Sequence, residues 1–277
     1  NAMLIATRDG LAKWHNEALC KFSGYSAEEI MNQNPRMFGA GQRDQGLWAD
    51  MWQTILAGNH WRGEITNRRK DGFLYTVIQN VSPILNDPGE ITHFLAVQQD
   101  VSRQKALERK IQHLAQHDGL TGLPNRGLFL DRIQQAIIQS QRTGAQFVLL
   151  FIDLDGFKDV NDIYGHSAGD HLLCLVAERL RACVRGGDTV ARLGGDEFTV
   201  LLLNVGSVAD VEMIVNKSLL CLATPYDMGG YSVTVTASIG ICLYPEHATE
   251  VEKLLSCADK AMYRAKQSGK NNYKFHE

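Results

Sequence analysis

No apolar run in this 277-residue sequence approaches the roughly 18 residues needed to cross a membrane. The longest, residues 147–152, is the length of a strand. A signal peptide is also absent. Asn1 and Ala2 precede Met3 and read as an expression remnant, so the natural chain can begin further upstream, and a membrane segment there stays open. The six cysteines, Cys20, Cys174, Cys183, Cys221, Cys242 and Cys257, form no CxxC pair and join no histidine cluster, which argues against a zinc site and against a disulfide framework. Scattered among apolar neighbours, they read as reduced core residues of a cytoplasmic protein. Neither sign of charge dominates: 28 Lys and Arg against 31 Asp and Glu leave a net charge of -3, so no basic field calls for a nucleic acid polymer. There is no long-period repeat and no low-complexity tract.

The composition that remains is that of an ordinary globular protein, 44% hydrophobic and 21% charged. At a soft prior of one domain per roughly 150 residues, the length suggests two domains, each able to bury a core. The first hundred residues are rich in aromatics and turns. Asp9-Gly10 marks a hairpin turn, residues 16–22 carry a short helical pattern, and Ser26 with Glu29 forms a capping box. Residues 45–56 place Leu47, Trp48, Met51, Trp52 and Ile55 on one helical face. Strands are expected over 61–68, 73–82 and 91–100, joined by turns at Asp71-Gly72 and at 87–89. The expectation is an α+β module of small helices and a three-stranded antiparallel meander.

Residues 102–117 change character. They are charged, with Leu107, Ile111 and Leu114 spaced four and three apart. That seam suits either a helix pairing with its twin or a solvated linker helix. Beyond it, helix and strand alternate: helices over 123–141, 168–183, 208–222 and 251–267, and strands over 147–154, 189–193, 198–203, 231–243 and 272–275. The order β-α-β-β-α-β is ferredoxin-like in type.

The chemistry centres on Leu193-Gly194-Gly195-Asp196-Glu197-Phe198. Gly194 and Gly195 allow a tight hairpin tip and let a ligand approach the backbone. Two successive carboxylates there are costly unless solvated or bound to a cation. Alone, this stretch reads more readily as an acidic turn. The strand ending in Asp153-Leu154-Asp155, continued by Gly156-Phe157-Lys158, alters that reading. A carboxylate at a strand end, others on a neighbouring hairpin and a nearby lysine are what Mg²⁺-assisted nucleotidyl transfer needs. Backbone N–H groups at Gly156, Phe157 and Lys158 can cradle phosphate oxygens.

Residues 118–275 resemble the GGDEF family of diguanylate cyclases. The resemblance rests on an ordered series: residues 118–126 (DGLTGLPNR), 153–158 (DLDGFK), Asn161-Asp162, 165–170 (GHSAGD), Gly194 to Phe198, Ser238-Ile239-Gly240, 258–263 (ADKAMY) and Ala265-Lys266. It implies a nucleotidyl-cyclase-like fold that condenses two GTP molecules into cyclic di-GMP, working as a homodimer with Mg²⁺ or Mn²⁺. Asp153 and Asp196 would hold metal with the carbonyl of Leu154. Glu197 would assist a second metal or deprotonate the attacking 3′-hydroxyl. Asn161 and Asp170 would read the guanine edge, where a carboxylate can accept from N1–H and the 2-amino group. Each also suits a turn or a helix cap. Lys158 and Lys266 would bind terminal phosphates. Lys270, one helical turn past Lys266, stands where the family often has arginine and keeps the charge without the bidentate geometry. Lys266 and Lys270 also suit a helix C-terminus. Asp118 and Arg126 are read as structural, tying the preceding helix to the domain.

Arg185-Gly186-Gly187-Asp188 has the RxxD form and position of the family's product-inhibition site. A guanidinium and a carboxylate there suit cyclic di-GMP, and an Arg-Gly-Gly helix stop explains the same letters. Residues 4–102 resemble a PAS sensor domain on Asn16, residues 22–30 (FSGYSAEEI), Asn34-Pro35, residues 61–64 (WRGE), residues 67–72 (NRRKDG) and residues 100–102 (DVS), with an abbreviated first strand. PAS domains bind haem, flavin, small metabolites or nothing. Pro35 stands where a flavin-adduct photoreceptor has cysteine. His60 and His93 are the haem-ligand candidates, better read as surface histidines. Trp48, Trp52 and Trp61 either line a flavin pocket or, more commonly for such spacing, form core. The expected order is therefore a PAS domain (4–102), a connecting helix (103–117) and a cyclase domain (118–277). The rival is a non-catalytic receptor for GTP or cyclic di-GMP, and retention of both Asp196 and Glu197 speaks for the enzyme. A purely oligomerising scaffold leaves the carboxylate series unexplained.

Overall fold

The computed structural model describes residues 1–40 and 45–277. They form two compact units, Asn1–Lys110 and Ile111–Glu277.

In the first unit, β1 (Ala2–Thr7) and β2 (Ala12–His15) form a hairpin whose Asp9-Gly10 turn uses Gly10 at φ 80. Three short helical pieces follow: α1 (Glu17–Ser23), α2 (Ala27–Ile30) and a 3-10 turn at Pro35–Phe38. Asn16 caps α1 by accepting from the Leu19 N–H at 3.2 Å. At α2 the capping box is complete, with the Glu29 N–H donating to Ser26 and the Ser26 N–H donating to Glu29. Then come α3 (Gln45–Leu56) and the meander β3 (Trp61–Arg68), β4 (Leu74–Leu85) and β5 (Ile91–Asp100). The sheet has five strands in the order β2-β1-β5-β4-β3, not the three expected. The two strands flanking the expected Asp9-Gly10 turn make up the difference, and they bury Ala2, Leu4, Ala6 and Ala12, mostly small residues with weak strand preference. Met51 and Ile55 of α3 pack on Trp61, Ile65, Tyr75, Val77 and Phe94 of the sheet. After β5, the Ser102 N–H donates to Asp100 Oδ1, and Ser102 Oγ accepts from the Thr76 N–H, both at 2.8 Å, fixing the start of α4 (Ser102–Gln116).

The second unit is built around β6 (Phe147–Asp155), buried along its whole length. Its neighbours are β8 (Glu197–Leu203) and β11 (Thr236–Tyr244), both antiparallel. With β7 (Thr189–Gly194) and β12 (Asn272–Phe275) the order is β12-β11-β6-β8-β7. Taking β6, α7, β7, β8, α8 and β11 in turn gives the expected ferredoxin-like arrangement, extended by β12 running parallel to β11. Along β6 the side chains alternate. Val148, Leu150, Ile152 and Leu154 join α7 (His166–Cys183) and α8 (Val208–Ala223) in one core. Phe147, Leu149 and Phe151 join α5 (Arg126–Thr143) and α9 (Val251–Gln267) in the other. Two covered faces explain the unbroken apolar run.

Several boundaries differ from expectation for local reasons. α5 starts at Arg126, not at 123, because Asn125 caps it by accepting from the Leu128 N–H at 3.1 Å. Residues 156–158 are not a plain turn: Gly156, at φ 78, opens a helix, α6 (Phe157–Tyr164). α7 begins two residues earlier than read, after Gly165 at φ 84. The strand expected over 231–243 is broken. Ser232–Val233 (β10) pairs with Tyr226–Asp227 (β9), and β11 starts at Thr236.

Candidate active site

The carboxylates gather at the C-terminal end of β6. Asp153 and Asp155 continue the alternation of Phe147, Leu149 and Phe151, so both face α9. They differ in employment. Asp155 accepts from Thr236 Oγ1 (2.8 Å), Ser238 Oγ (2.8 Å) and the Asn271 N–H (3.1 Å). It is a strut joining β6, β11 and the segment after α9. Asp153 instead meets the Lys266 ammonium at 2.7 Å and pairs across the sheet with Glu197.

Lys266 reaches Asp153 because α9 lies hard against β11. A Cβ on Gly240 would stand 1.9 Å from the Ala258 carbonyl and 2.2 Å from the Met262 nitrogen. Lys266 is one helical turn beyond Met262.

Glu197 opens β8, and Asp196 is the last residue of the β7–β8 turn. Gly194 (φ 153) and Gly195 (φ 53) adopt backbone angles that side chains rarely allow, and the space beside each is open. Arg192 braces this turn. Its Nε and Nη2 donate to the Gly195 carbonyl at 2.9 and 2.8 Å, and its Nη1 donates to Asp118 at 2.9 Å. Sequence reading paired Asp118 with Arg126 in the tying role. The tie runs through Arg192, whereas Arg126 is exposed.

Burial raises the Asp153 carboxyl above its ordinary range, against the opposing hydrogen bond from Lys266, and the Asp196 charge adds to the rise. Glu197 is raised as well, by burial and then by the charges of Asp153, Asp196 and Asp259. Three carboxylates thus crowd one end of the sheet.

On the other side of β6, Gly156 places Phe157 and Lys158 in the first turn of α6, whose N–H groups have no intrahelical acceptor. Lys158 is exposed there. Gly169 brings α7 against α6: a Cβ would fall 2.0 Å from Asn161 Oδ1. Half-buried Asn161 therefore lies against the turn of α7 that carries exposed Asp170.

Residues 115–272 match the family described as diguanylate cyclase, GGDEF domain. This chain belongs to the GGDEF family. Residues 1–103 match a PAS domain family, so the PAS unit comes first. Among curated proteins, the bifunctional diguanylate cyclase/cyclic di-GMP phosphodiesterase MucR of Pseudomonas aeruginosa is 51% identical over 169 residues, 61% of this chain and 24% of that protein. The diguanylate cyclase DgcM of Escherichia coli is 31% identical over 270 residues, 97% of this chain and 64% of its own length. The chain thus spans less than two thirds of either relative. A solved GGDEF domain of TpbB from Pseudomonas aeruginosa superposes with a TM-score of 0.57 at 43% identity, over 58% of this chain and 94% of that one.

Within this GGDEF domain, a divalent metal fits the chemistry of the donors. Among the described residues, no three His, Cys, Asp or Glu side chains form a ready cage. Mg²⁺ rarely needs one, since it takes one or two carboxylates and completes its shell with water and substrate phosphates. Asp153 and Asp196, with the Leu154 carbonyl near the end of β6, suit that role, and their crowded charges favour a cation. Asp155 is already engaged with three donors.

Two candidate residues differ from expectation. α9 ends at Gln267, and Lys270 sits beyond it at φ 60, in left-handed backbone rather than one helical turn past Lys266. Gly269 (φ 111) and Asn271 (φ 47) extend that turn. Asp188, in the RxxD segment, is held by the backbone: Oδ2 accepts from the Arg185 N–H and Oδ1 from the Leu203 N–H, both at 3.0 Å. Arg185 itself is exposed. Sequence reading passed over Arg192, Gly169 and Gly240. Gly169 and Gly240 lay in quoted motifs, but only the packing shows what a glycine is needed for at either position.

In the PAS unit, Trp48 and Trp52 line a cavity, but Trp61 does not. It packs into the core beside Gly63, with Nε1 donating to Asp50 at 2.8 Å. Neither His60 nor His93 lines the cavity, and His60 is exposed, against Ser82. No helix among the described residues is long and apolar enough to cross a membrane.

Proposed function

We propose that the chain is a diguanylate cyclase that joins two GTP molecules into cyclic di-GMP and releases two pyrophosphates, under the control of its PAS unit. The observation that carries this reading is the meeting of Asp153, Asp196 and Glu197 at one end of the sheet, with Lys266 against Asp153. In each half-reaction a 3′-oxygen bonds to the α-phosphorus of the other GTP as the bond to the β-phosphate oxygen breaks. Asp153, Asp196 and the Leu154 carbonyl would hold Mg²⁺ or Mn²⁺, which when bound would neutralise charge on the attacked phosphate. Glu197 takes the 3′-hydroxyl proton or joins a second metal. Its raised pKa makes it a better base than an ordinary carboxylate.

Lys158, Lys266 and Lys270 bind the terminal phosphates, with the N–H groups at Gly156, Phe157 and Lys158 nearby. The open space over Gly194 and Gly195 admits the nucleotide backbone. Asn161 and Asp170 read guanine. One GGDEF domain holds one GTP, so the reaction needs two chains facing each other. Leu107, Ile111 and Leu114 support such pairing: they are 51%, 65% and 57% exposed on a helix that would otherwise leave them in water. Product bound at Arg185 and Asp188 inhibits by disfavouring facing pairs, with Arg185 the larger contributor because the Asp188 oxygens already serve the backbone. The reaction belongs in the cytoplasm, where GTP is.

The test is incubation with GTP and Mg²⁺, or Mn²⁺, and separation of the nucleotides. Cyclic di-GMP and pyrophosphate are expected. Tight GTP binding with no turnover in either metal would favour a receptor instead.

A further inference from the structure

α7 and α8 pack together over one face of the second sheet, in the core that holds Leu180 and Leu222. Where they meet, a cation from each helix reaches the backbone of the other. Arg179 Nη1 of α7 donates to the Cys221 carbonyl at 2.9 Å. Lys217 Nζ of α8 donates to the carbonyls of Ala182 and Cys183 at 3.2 and 3.4 Å. Each cation stands four residues before the cysteine of its own helix, one helical turn away. The two contacts therefore cross, and they draw Cys183 and Cys221 into the same stretch of the interface. There the side chains meet, with Cys183 hydrogen-bonded to Cys221.

Both cysteines are free thiols, and they differ in access. Cys221 is half-buried, whereas Cys183 is only 5% exposed. Burial and the neighbouring sulfur push the Cys183 thiol up to about 11, so it stays protonated at neutral pH. An oxidant from solvent therefore meets Cys221 first. Arg179 and Lys217 stabilise the negative charge that develops on the attacking sulfur. Cys183 waits behind it as the resolving thiol. The same unit holds a second pair, Cys242 hydrogen-bonded to Cys257. Cys242 lies inside β11, where its backbone is fixed by pairing with β6. Cys183 is the last residue of α7 and is freer to move the short way that a sulfur–sulfur bond of about 2.0 Å requires.

We infer that Cys183 and Cys221 are an oxidation site, converted by a hydroperoxide into a disulfide that ties α7 to α8. The Cys221 sulfur attacks the peroxide and the O–O bond breaks. Cys221 becomes a sulfenic acid, and its thiol proton leaves with the other oxygen as water. The Cys183 sulfur then bonds to the Cys221 sulfur, and the sulfenic oxygen takes the Cys183 proton and leaves as a second water. Two thiols and one hydrogen peroxide give one disulfide and two waters, and a dithiol reverses the bond by exchange. The bond fixes the end of α7 two residues before Arg185. The assignment does not rest on cyclase chemistry, and its test does not use it. The reduced full chain is treated with hydrogen peroxide, alkylated in denaturant, digested without reduction and mapped by mass spectrometry. A Cys183–Cys221 link is expected. The oxidised chain should also unfold several degrees higher until dithiothreitol is added, because the closed loop constrains the unfolded chain. Cys221→Ser and, separately, Cys183→Ala should each abolish the link and the shift. Cys257→Ser, which breaks the other pair, should keep both. Alkylation of Cys183 and Cys221 after peroxide as before it would overturn the assignment. So would a link at Cys242 and Cys257 alone, or over-oxidation of Cys221 with Cys183 left as a thiol.

Discussion

Arg192 joins Asp118 to the carbonyl of Gly195, residues 77 positions apart, through a single guanidinium. Asp118 stands two residues after the end of α4, and Gly195 precedes Asp196. The geometry of the acidic turn therefore depends on the loop that leads in from the helix. The Asp118 carboxyl would be raised by burial, but the hydroxyl and N–H of Thr121, together with Arg192, outweigh that and hold it below its ordinary value. A depressed folded pKa stabilises the fold above the unfolded pKa, and the stability is lost as pH falls through the folded value. Asp118→Ala should cost about 1–3 kcal/mol at neutral pH in denaturant unfolding. The difference from wild type should shrink in acid. A constant difference down to strongly acidic pH would contradict the pairing.

Asp153→Asn and Asp196→Asn should each lower turnover at least about a hundredfold while preserving the fold. For Asp196→Asn, stability should rise by up to about 1 kcal/mol without metal, because Asp153 and Glu197 then face one less negative charge. Turnover assays and thermal unfolding of the metal-free protein measure the two effects. Near-normal turnover would show the metal site to be misassigned.

The two close-packed glycines should fail differently. Gly240→Ala drives a methyl into helix backbone, which cannot move without shifting α9, and should destabilise by about 1–3 kcal/mol. It should also lower kcat, since Lys266 would be displaced from Asp153. Gly169→Ala meets side chains rather than backbone, chiefly the Asn161 amide, which can rotate away, and the Phe157 ring at 3.2 Å. The fold should survive and KM for GTP should rise roughly tenfold, with kcat less affected. If KM is unchanged when Asn161 is displaced, Asn161 does not read guanine.

The elements that sequence made legible were those with a strong period or a distinctive end. The alternation of β4, the amphipathic α3, the capping box at Ser26 and Glu29 and the buried run of β6 all depend on local chemistry. The second-unit topology followed from their order. The Asp9-Gly10 turn is legible, but the extent of β1 and β2 on either side of it is not, because Ala2, Ala6 and Ala12 signal strand only weakly. α6 was lost because Gly156, read as a turn, is a left-handed cap. In the site, the acidic and basic candidates stood out as motifs, but their division of labour did not. Asp153 and Asp155 look alike in sequence. Only register against β11 gives Asp155 its hydroxyl donors and leaves Asp153 to Lys266. Lys270 looked helical by spacing, and the left-handed run at Gly269, Lys270 and Asn271 ends that spacing.

If two chains must face each other, specific activity should fall on dilution through the dimer constant. Replacing Leu107, Ile111 and Leu114 together by lysine should move that loss to higher concentration, because three exposed apolar side chains would become three like charges across the seam. Sedimentation and activity should shift together. Undiminished activity per chain in a sample shown to be monomeric would sink the two-chain reading.

Arg185 and Asp188 should separate in their effects on inhibition. Arg185 is exposed, so Arg185→Ala should remove a contact to product and little else. Progress curves of wild type should slow as cyclic di-GMP accumulates, and those of the variant should stay linear for longer. Asp188 is different, because its two oxygens hold the N–H groups of Arg185 and Leu203. Asp188→Ala should therefore lower stability by about 1–3 kcal/mol as well as weaken inhibition. By linkage, a change that favours facing pairs should weaken binding of the inhibitor by the same factor. Identical progress curves for wild type and Arg185→Ala, with added cyclic di-GMP equally ineffective on both, would leave Arg185-Gly186-Gly187-Asp188 as the turn that ends α7 and starts β7.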